Sequence, residues 1–197
     1  MAKHKIQEIL ESTNFYRFFK GSIEDLNKRW TETHRYYHTL KHLYKIIDQI
    51  DRDRNTLLPS GLLSKLESDI LKISAIYHDV VYLPREDKYN ISESIEKFEE
   101  DFPELPFLYK DKIKDIIDST NYHNFEDSDK LIRMFNSYDM VGILKGTLEE
   151  LIEDGDNVSK EYHLDPEVYK EKRIEFLEDY KKYNPNIQKC IDYLSQS

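Results

Sequence analysis

Two histidines four residues apart form the first part of this sequence that could carry chemistry. His38 and His42 lie in Tyr36-Tyr37-His38-Thr39-Leu40-Lys41-His42. Side chains at this spacing share one face of a helix, with roughly 5 to 6 Å between their Cβ atoms. One imidazole could then bind a metal ion while the other reaches a substrate. An isolated pair of this kind is more often a surface feature, so the hypothesis needs support from elsewhere in the chain.

The second candidate is an adjacent histidine and aspartate in an apolar run, Ile76-Tyr77-His78-Asp79-Val80-Val81-Tyr82. An ionised aspartate in such surroundings is costly unless it is paired, hydrogen-bonded or bound to a cation. Because adjacent helical residues point about 100° apart, His78 and Asp79 can hold one ion only at a distorted turn or at a helix end. Pro84 predicts a helix end nearby. The alternative is a helix end that His78 simply caps.

A third acidic residue, Asp139, stands in the apolar stretch Tyr138-Asp139-Met140-Val141. Taken alone it could be an ordinary helix cap, because aspartate is common there. Together with the earlier residues it completes a set of two imidazoles and two carboxylates, namely His42, His78, Asp79 and Asp139. Such mixed ligands suit a divalent ion such as Mn, Mg, Fe, Zn or Ni, with open positions for water and a phosphate oxygen.

The order His, His-Asp, Asp resembles the pattern of the HD superfamily of metal-dependent phosphohydrolases. The blocks Arg35-Tyr36-Tyr37-His38-Thr39-Leu40-Lys41-His42 and Tyr77-His78-Asp79-Val80-Val81-Tyr82 look like a small bacterial and viral branch of predicted HD phosphohydrolases. The resemblance extends over about residues 35–177. The further matching positions are Asn90 with Ser94, Thr120-Asn121-Tyr122-His123, Phe135-Asn136-Ser137-Tyr138-Asp139-Met140, Val158-Ser159-Lys160-Glu161-Tyr162 and Arg173.

The same blocks are similar to those of cyclic-nucleotide phosphodiesterases, in which the first histidine of a Tyr-His-Asn-x-x-His run protonates the leaving oxygen and the second binds metal. The resemblance therefore implies that His38 is the general acid and that His42 is a metal ligand. It implies that His78, Asp79 and Asp139 complete the metal site, with Asp79 also taking part in catalysis.

The chain departs from these families in three respects. Only His123 and His163 follow His78, and His163 comes after Asp139, out of the usual order, so the pattern favours one ion or a second ion bridged by Asp79. Asn90 is followed by Ile91 and Ser92 where the small branch has two acidic residues. The glutamine with which the phosphodiesterases read a purine has no counterpart, so cyclic-nucleotide specificity is not implied.

Five residues are candidates for substrate contact: Arg35, Arg85, Lys88, His123 and Arg173. An arginine offers a planar fork that matches phosphate oxygens, although a structural ion pair or a solvated cation is the commoner role. His123 could orient a water molecule or pack beside Tyr122. The charged loop at 83–89 directly follows His78 and Asp79, so Arg85 or Lys88 could close over a substrate. A solvated turn is the alternative for this loop.

Helical periodicity dominates the segments that must position these residues. Leu40, Leu43 and Ile47 recur at spacings of three and four, which predicts a helix at about 35–51. Another helix is predicted from an N-cap at Ser60 to Tyr77. Asn90 or Ser92 is predicted to cap the helix that follows the charged loop.

The second half of the chain shows the same periodicity. It predicts a helix at 140–153 that ends in a turn at 154–157. A further helix should begin at Asp165-Pro166-Glu167, with aspartate as cap and proline in the first turn. Only 5 glycines and 6 prolines are present, too few for the turns of an all-β fold. We therefore predict one all-α, HD-type helical bundle spanning 1–197, with its core at about 35–177.

The bulk composition limits the possible partners. The net charge is −10 and no long basic run is present, which argues against a nucleic acid polymer. A small phosphorylated substrate is compatible with this charge, because a divalent cation supplies local positive charge. The single cysteine, Cys190, and the absence of an apolar stretch of about 18 to 20 residues favour a soluble, cytoplasmic chain without a membrane partner. The sequence does not indicate an oligomeric state.

These residues and the resemblance predict a metal-dependent phosphohydrolase. The expected reaction is cleavage of a phosphomonoester or phosphodiester in a small, nucleotide-like molecule. One alternative is an HD-type iron oxygenase, since histidine and carboxylate ligands also suit non-haem iron. The other is a non-catalytic module that binds a metal or a nucleotide.

Overall fold

The computed structural model describes residues 5–56 and 62–196, and these fold into helices joined by turns, without a strand. The predicted all-α fold class is confirmed. The eleven α-helices of the described ranges are α1 (Lys5–Glu11), α2 (Ile23–Trp30), α3 (Leu40–Arg54), α4 (Lys65–Tyr77), α5 (Asp87–Asp101), α6 (Phe107–Ser119), α7 (Lys130–Asp139), α8 (Val141–Lys145), α9 (Leu148–Tyr162), α10 (Pro166–Tyr180) and α11 (Pro185–Gln196).

Helix α4 is the central helix of the first half of the chain. Residues 68–77 are all buried, and the helix contacts α1, α3, α5, α6 and α7. A helix that is buried on every side must lie inside a bundle. Its N-cap is Ser64, which forms a capping box with Glu67. The predicted cap at Ser60 lies outside the described residues. The helix ends at Tyr77, so His78 and Asp79 follow it directly, as predicted from Pro84.

Helix α3 begins at Leu40, later than the predicted start near residue 35. The Thr39 side chain accepts a hydrogen bond from the Lys41 amide and caps the helix. His38 therefore precedes the helix, and the prediction that His38 and His42 share one helical face is wrong. His42 remains in the first turn of α3, next to buried Leu43.

Helix α5 begins at Asp87, before the predicted caps Asn90 and Ser92. Asn90 lies within this helix, and its side chain binds the backbone of Leu83. Its amide donates to the Leu83 carbonyl at 2.8 Å and accepts from the Leu83 amide at 2.8 Å. Because both ends of the Asn90 side chain bind the backbone of Leu83, the turn after Asp79 is fixed against α5. Lys88, predicted to lie in a loop, is part of α5.

The predicted helix at 140–153 is divided into α8 and α9. The division falls at Gly146 and Thr147, where Thr147 forms a capping box with Glu150. Helix α9 then continues through 154–157, which was predicted to be a turn, and ends at Tyr162. Helix α10 begins at Pro166 with Asp165 as its cap, which confirms that prediction.

Two apolar clusters result from this arrangement. One is formed by residues of α1 to α7 and of the segments between them, and it includes Trp30, Tyr77 and Phe135. The other lies among α8 to α11 and includes Leu151 and Leu177. The cavity described below is lined from both clusters, so it lies where they meet. None of the described helices has both the length and the apolar character needed to cross a bilayer.

Candidate metal centre and its cavity

Three helix ends bring the central side chains together. His42 comes from the first turn of α3, His78 follows the last residue of α4, and Asp139 is the last residue of α7. One donor atom from each of these three buried residues lies within 4.8 Å of the other two. The group can therefore hold a metal ion, as predicted for these three residues from the sequence.

The distances within this group are short. The Oδ1 atom of Asp139 lies 2.9 Å from Nε2 of His42 and 3.4 Å from Nε2 of His78. The two imidazole Nε2 atoms are 3.4 Å apart. Separate segments therefore direct two imidazole nitrogens and a carboxylate oxygen at one point.

Asp79, the fourth predicted ligand, lies beside this group and is not part of it. Its Oδ2 atom is 3.0 Å from Nε2 of His78 and 3.9 Å from Nε2 of His42. The predicted convergence thus holds for three ligands, and Asp79 flanks the two imidazoles.

The protonation of His78 tests whether the group fits a cation. Its Nδ1 donates a hydrogen bond to the Ala75 carbonyl at 2.9 Å, so the neutral ring carries its lone pair on Nε2. That lone pair faces the carboxylates of Asp79 and Asp139, which also offer only electron pairs. Such an arrangement is unfavourable unless a proton or a metal ion lies between the groups. The donor set therefore fits a divalent cation.

The pKa shifts follow from this clustering. Burial lowers the pKa of His78, but the charges of Asp79 and Asp139 outweigh burial and hold that pKa well above its usual value. Burial raises the pKa of Asp139, yet His78, His123 and His42 together hold it well below the usual value. The pKa of Asp79 is also lowered, by His78 and His38 against the effect of burial. Both carboxylates are therefore ionised near neutral pH, and the donor set is anionic.

His38 is held next to this group by Glu161 of α9. Nδ1 of His38 lies 2.7 Å from Oε2 of Glu161, and the Tyr82 hydroxyl donates to the same oxygen at 2.9 Å. Oε1 accepts from the backbone amides of Tyr36, Tyr37 and His38 at 2.7, 2.7 and 3.0 Å. Burial raises the pKa of Glu161, but these donors, His38 foremost, lower it to about 2. An ionised carboxylate can only accept, so Nδ1–H of His38 donates and Nε2 is left for the cavity.

The His38 ring is fixed by its neighbours as well. It stacks on Tyr82 with 4.2 Å between ring centroids, and Tyr37 meets it edge-on at 4.9 Å. Burial lowers the pKa of His38, but Asp79 and Glu161 raise it above the usual value. The geometry is that of an oriented imidazole able to hold a proton near neutral pH.

A cavity of about 370 Å³ lies next to these groups. Its lining includes His38 and the four predicted ligands. Of the predicted substrate-contacting residues, His123 and Arg173 line it, whereas Arg35, Arg85 and Lys88 do not. A volume of this size suits a small molecule, since ligand pockets typically measure about 300 to 1,000 Å³.

His123 contacts the carboxylate of Asp139. Its Nε2 lies 3.1 Å from Oδ2, the oxygen that the other imidazoles leave free. Its backbone has a left-handed φ of 42° just after α6 and the Thr120 cap. The residue therefore orients Asp139 and also lines the cavity beside it.

Arg35 forms hydrogen bonds within the protein and does not line the cavity, contrary to its predicted contact with a substrate phosphate. The side chain is buried, and its Nη1 donates to the carbonyls of Asp79 at 2.8 Å and His38 at 3.1 Å. Its Nη2 donates to the Val80 carbonyl at 3.3 Å, and its Nε pairs with Glu32 at 3.0 Å. Because its donors are occupied, Arg35 ties the backbone before α3 to the backbone after α4.

Arg85 and Lys88 are exposed, and neither lines the cavity. Arg85 adopts a left-handed φ of 70° in the turn before α5. From this segment it is Asp87 that lines the cavity. That Arg85 or Lys88 closes over a bound substrate stays a prediction.

Two residues of the site receive no role from the sequence: Glu161, which contacts His38, and Asp154, which lines the cavity. Glu161 lies in a block that matched the resemblance, but no local pattern reveals that it holds His38 from 123 positions away. Asp154 lies in the stretch interpreted as a turn. Only the burial of its carboxylate at 6% exposure identifies it as part of the cavity wall.

Comparison with known proteins identifies no relative. No protein-family model matches the chain, no curated protein matches it, and no solved structure matches it. The indication of function is therefore the arrangement of side chains around the cavity.

Proposed function

We propose that this chain is a metal-dependent phosphohydrolase of the HD type that cleaves a phosphomonoester or phosphodiester of a small, nucleotide-like molecule. One observation carries the proposal: the donor group of His42, His78 and Asp139 shares a cavity with an imidazole, His38, that a buried carboxylate orients. Metal-assisted hydrolysis needs a cation site and a proton donor within reach of one substrate.

His42, His78 and Asp139 would hold the cation, with Asp79 beside the two imidazoles. A divalent ion there would supply Lewis-acid stabilisation of phosphoryl oxygens and would acidify a water molecule. The ion is one of Mn, Mg, Fe, Zn or Ni, since mixed imidazole and carboxylate ligands suit each of them. The positive charge of the ion offsets the two carboxylates, which would otherwise repel a phosphate.

His38 supplies the proton that the leaving group requires. Glu161 fixes Nδ1–H, so the transferable proton resides on Nε2, at the nitrogen left for the cavity. A hydroxide formed from water, its proton released to solvent, bonds to phosphorus as the bond between phosphorus and the leaving oxygen breaks. The leaving oxygen takes the Nε2 proton and departs as a neutral hydroxyl, and His38 regains a proton from solvent. Glu161 stabilises the protonated His38 ring before the proton is transferred, and its hydrogen bond from Nδ1–H keeps the neutral ring in the same orientation afterwards.

The primary test is metal analysis of purified protein, followed by a phosphate-release screen. We expect a divalent metal in the protein as isolated, and release of phosphate from nucleotides or sugar phosphates after reloading with Mn, Mg, Fe, Zn or Ni. Removing the metal with EDTA should abolish turnover, and adding it back should restore turnover. Oxygen-dependent turnover with iron, or tight nucleotide binding without turnover under every metal, would overturn the proposal.

Substitution of His38 by alanine tests the proton donor. We expect His38→Ala to retain its metal but to lose about 10²- to 10⁴-fold in kcat, the usual contribution of general acid catalysis. The deficit should shrink with a nitrophenyl phosphate ester, because nitrophenolate hardly needs a proton to leave. Metal content and kcat on both substrates are the measurements.

The matched control for this variant is His34→Ala. His34 contacts the Tyr82 carbonyl at 2.9 Å and does not line the cavity. It should keep kcat within a few-fold on both substrates. Equal losses by His38→Ala on good and poor leaving groups would contradict the proton-donor role and make His38 a ligand or a structural residue.

A further inference from the structure

Arg173 of α10 presents an unused hydrogen-bonding edge in the cavity. Its Nε and Nη2 atoms are buried and have no hydrogen-bond partner. These two nitrogens form the side of the guanidinium that donates two parallel N–H bonds, the fork that binds paired acceptors. The Phe176 ring lies 5.3 Å from the guanidinium carbon and limits the movement of this edge. Two buried N–H donors without acceptors are costly, so this edge fits a ligand.

Asp154 of α9 also lines this cavity, and one of its carboxylate oxygens has no hydrogen-bond partner. Its carboxylate is buried, and Oδ2 has no hydrogen-bond partner. The nearest cation, Nζ of Lys45, lies 3.6 Å away, too far for a good hydrogen bond. A side chain at Gly142 would meet this oxygen at 2.8 Å, so the glycine leaves the space in which the carboxylate lies.

The two groups flank each other without pairing. Arg173 packs over Gly155, the residue after Asp154, where an added Cβ would lie 3.4 Å from Nε. The charges of Asp154 and Arg173 both act on the hydroxyl of Tyr37, whose ring contacts His38 and His42. The lining of the cavity therefore includes a fork of donors and a carboxylate acceptor, neither of which has a hydrogen-bond partner.

A ligand group that satisfies this wall must supply two acceptors and at least one donor. A phosphate satisfies only Arg173, and its negative charge would lie next to the Asp154 carboxylate. A guanine satisfies both residues, because its O6 and N7 accept from an arginine fork and its neighbouring N–H groups donate to a carboxylate. An adenine offers an amino group where guanine has O6, so it cannot give the fork its two acceptors.

The wall next to these groups also suits a planar base. Tyr37, Tyr162, Tyr169 and Phe176 line the cavity, together with apolar Ile143 and Val158. Aromatic side chains stack favourably on nucleobases. The Tyr169 hydroxyl donates to the Gly155 carbonyl at 2.7 Å, which fixes this ring beside Arg173.

We infer that Asp154 and Arg173 form a base-recognition subsite that binds guanine, so that the substrate is a guanine nucleotide with its phosphate directed at the metal centre. This inference rests on the proposed function for the phosphate end and names the substrate class at the other end. It assigns Arg173 to the base, where the sequence analysis expected a phosphate contact.

The test is equilibrium binding of guanosine and adenosine to the full chain by calorimetry, with EDTA present. Neither nucleoside carries a phosphate, so the measurement is independent of hydrolysis. We expect guanosine to bind about ten- to hundredfold more tightly than adenosine, the discrimination usual for one bidentate contact. Inosine, which keeps O6 and N7 but lacks the 2-amino group, should fall between them.

Two variants test whether the preference for guanosine over adenosine depends on Arg173 and Asp154. Arg173→Lys keeps the charge but loses the fork, and Asp154→Asn keeps the shape but loses the charge. Each should reduce guanosine affinity about tenfold or more while leaving adenosine binding nearly unchanged. The control is Lys170→Gln on the same helix, where Lys170 pairs at the surface with Glu167 at 2.7 Å. This control removes a positive charge outside the cavity and should preserve the preference.

The outcomes separate this inference from the proposed function. Guanosine binding with the expected variant effects, but no hydrolysis of guanine phosphomonoesters or phosphodiesters under any metal, would support the subsite and overturn the hydrolase. Phosphate release from GMP and AMP at equal rates, with equal nucleoside affinities, would overturn the subsite and leave the hydrolase standing. Preferential binding of phosphoserine, which also offers acceptors to arginine and donors to aspartate, would overturn the assignment to guanine.

Discussion

We expect Asp139→Asn to leave the protein without bound metal and without the proposed turnover. The Asp139 carboxylate contacts the imidazoles of His42, His78 and His123 at 2.9, 3.4 and 3.1 Å. An amide of the same shape keeps one acceptor but removes the negative charge that a cation needs. Loss of an outer-shell partner of a metal ligand typically costs about 10- to 100-fold in affinity, so loss of this ligand should cost at least about 100-fold. Metal content by mass spectrometry and phosphate release measure both effects.

A second measurement separates metal loss from misfolding. Wild-type protein should unfold at a higher temperature with added metal, because a ligand that binds only the folded state stabilises it. Asp139→Asn should fold but show no such shift. Asp118→Asn, an exposed aspartate at the end of α6, should keep both the shift and the turnover. A variant at Asp139 that retains stoichiometric metal contradicts the assignment of the centre.

We expect Glu161→Gln to destabilise the protein and to release the His38 ring from its fixed orientation. The carboxylate is fully buried and accepts from the amides of residues 36–38, from His38 and from Tyr82. An amide nitrogen cannot accept these hydrogen bonds, so some of the donors lose their partner. Breaking a buried charged pair from one side typically costs about 3 to 5 kcal/mol of the free energy of unfolding. Urea unfolding at pH 7 measures the loss, and Glu175→Gln on exposed α10 surface should change stability by less than about 0.5 kcal/mol.

The pH dependence of this effect follows from the lowered pKa of Glu161. Its folded pKa is about 2, below the ordinary 4.5, so the ionised form is favoured by folding. The stability that this group contributes is full above about pH 4.5 and is lost as the pH falls towards 2. The difference between wild type and Glu161→Gln should therefore narrow between pH 4.5 and 2. A difference that stays constant over this range would contradict the assignment of an ionised carboxylate.

The sequence predicts the centre well where local patterns determine the position of a side chain. His78 and Asp79 follow an apolar helix and precede Pro84, and this order alone places them at a helix end. Asp165 and Pro166 likewise determine the start of α10. Both predictions rest on capping and on proline geometry, which involve neighbours within a few residues.

Other features depend on distant residues, so local patterns mislead. Residues 36–38 precede α3 because Glu161 binds their amides. The stretch 154–157 has the residue types of a turn, yet it is helical and packs Gly155 against Arg173. Tertiary contacts override weak propensities in such segments. The charge of Arg35 suggested a phosphate contact. In the folded protein its side chain lies between two backbone segments and binds their carbonyl groups, which no local pattern predicts.

The hydrogen bonds between Glu161 and residues 36–38 also determine the point of protein synthesis at which the His38 ring can first be oriented. His38 and Glu161 are 123 positions apart, and His42 and Asp139 are 97 positions apart. Ribosomes make the chain from its N-terminus, so both histidines emerge long before the acids that hold them. A nascent chain that ends before α9 has no carboxylate to orient His38, and one that ends before α7 lacks Asp139. His38 can therefore take up its oriented position only once synthesis has passed Glu161, and products of translation that end earlier lack the carboxylate that holds it.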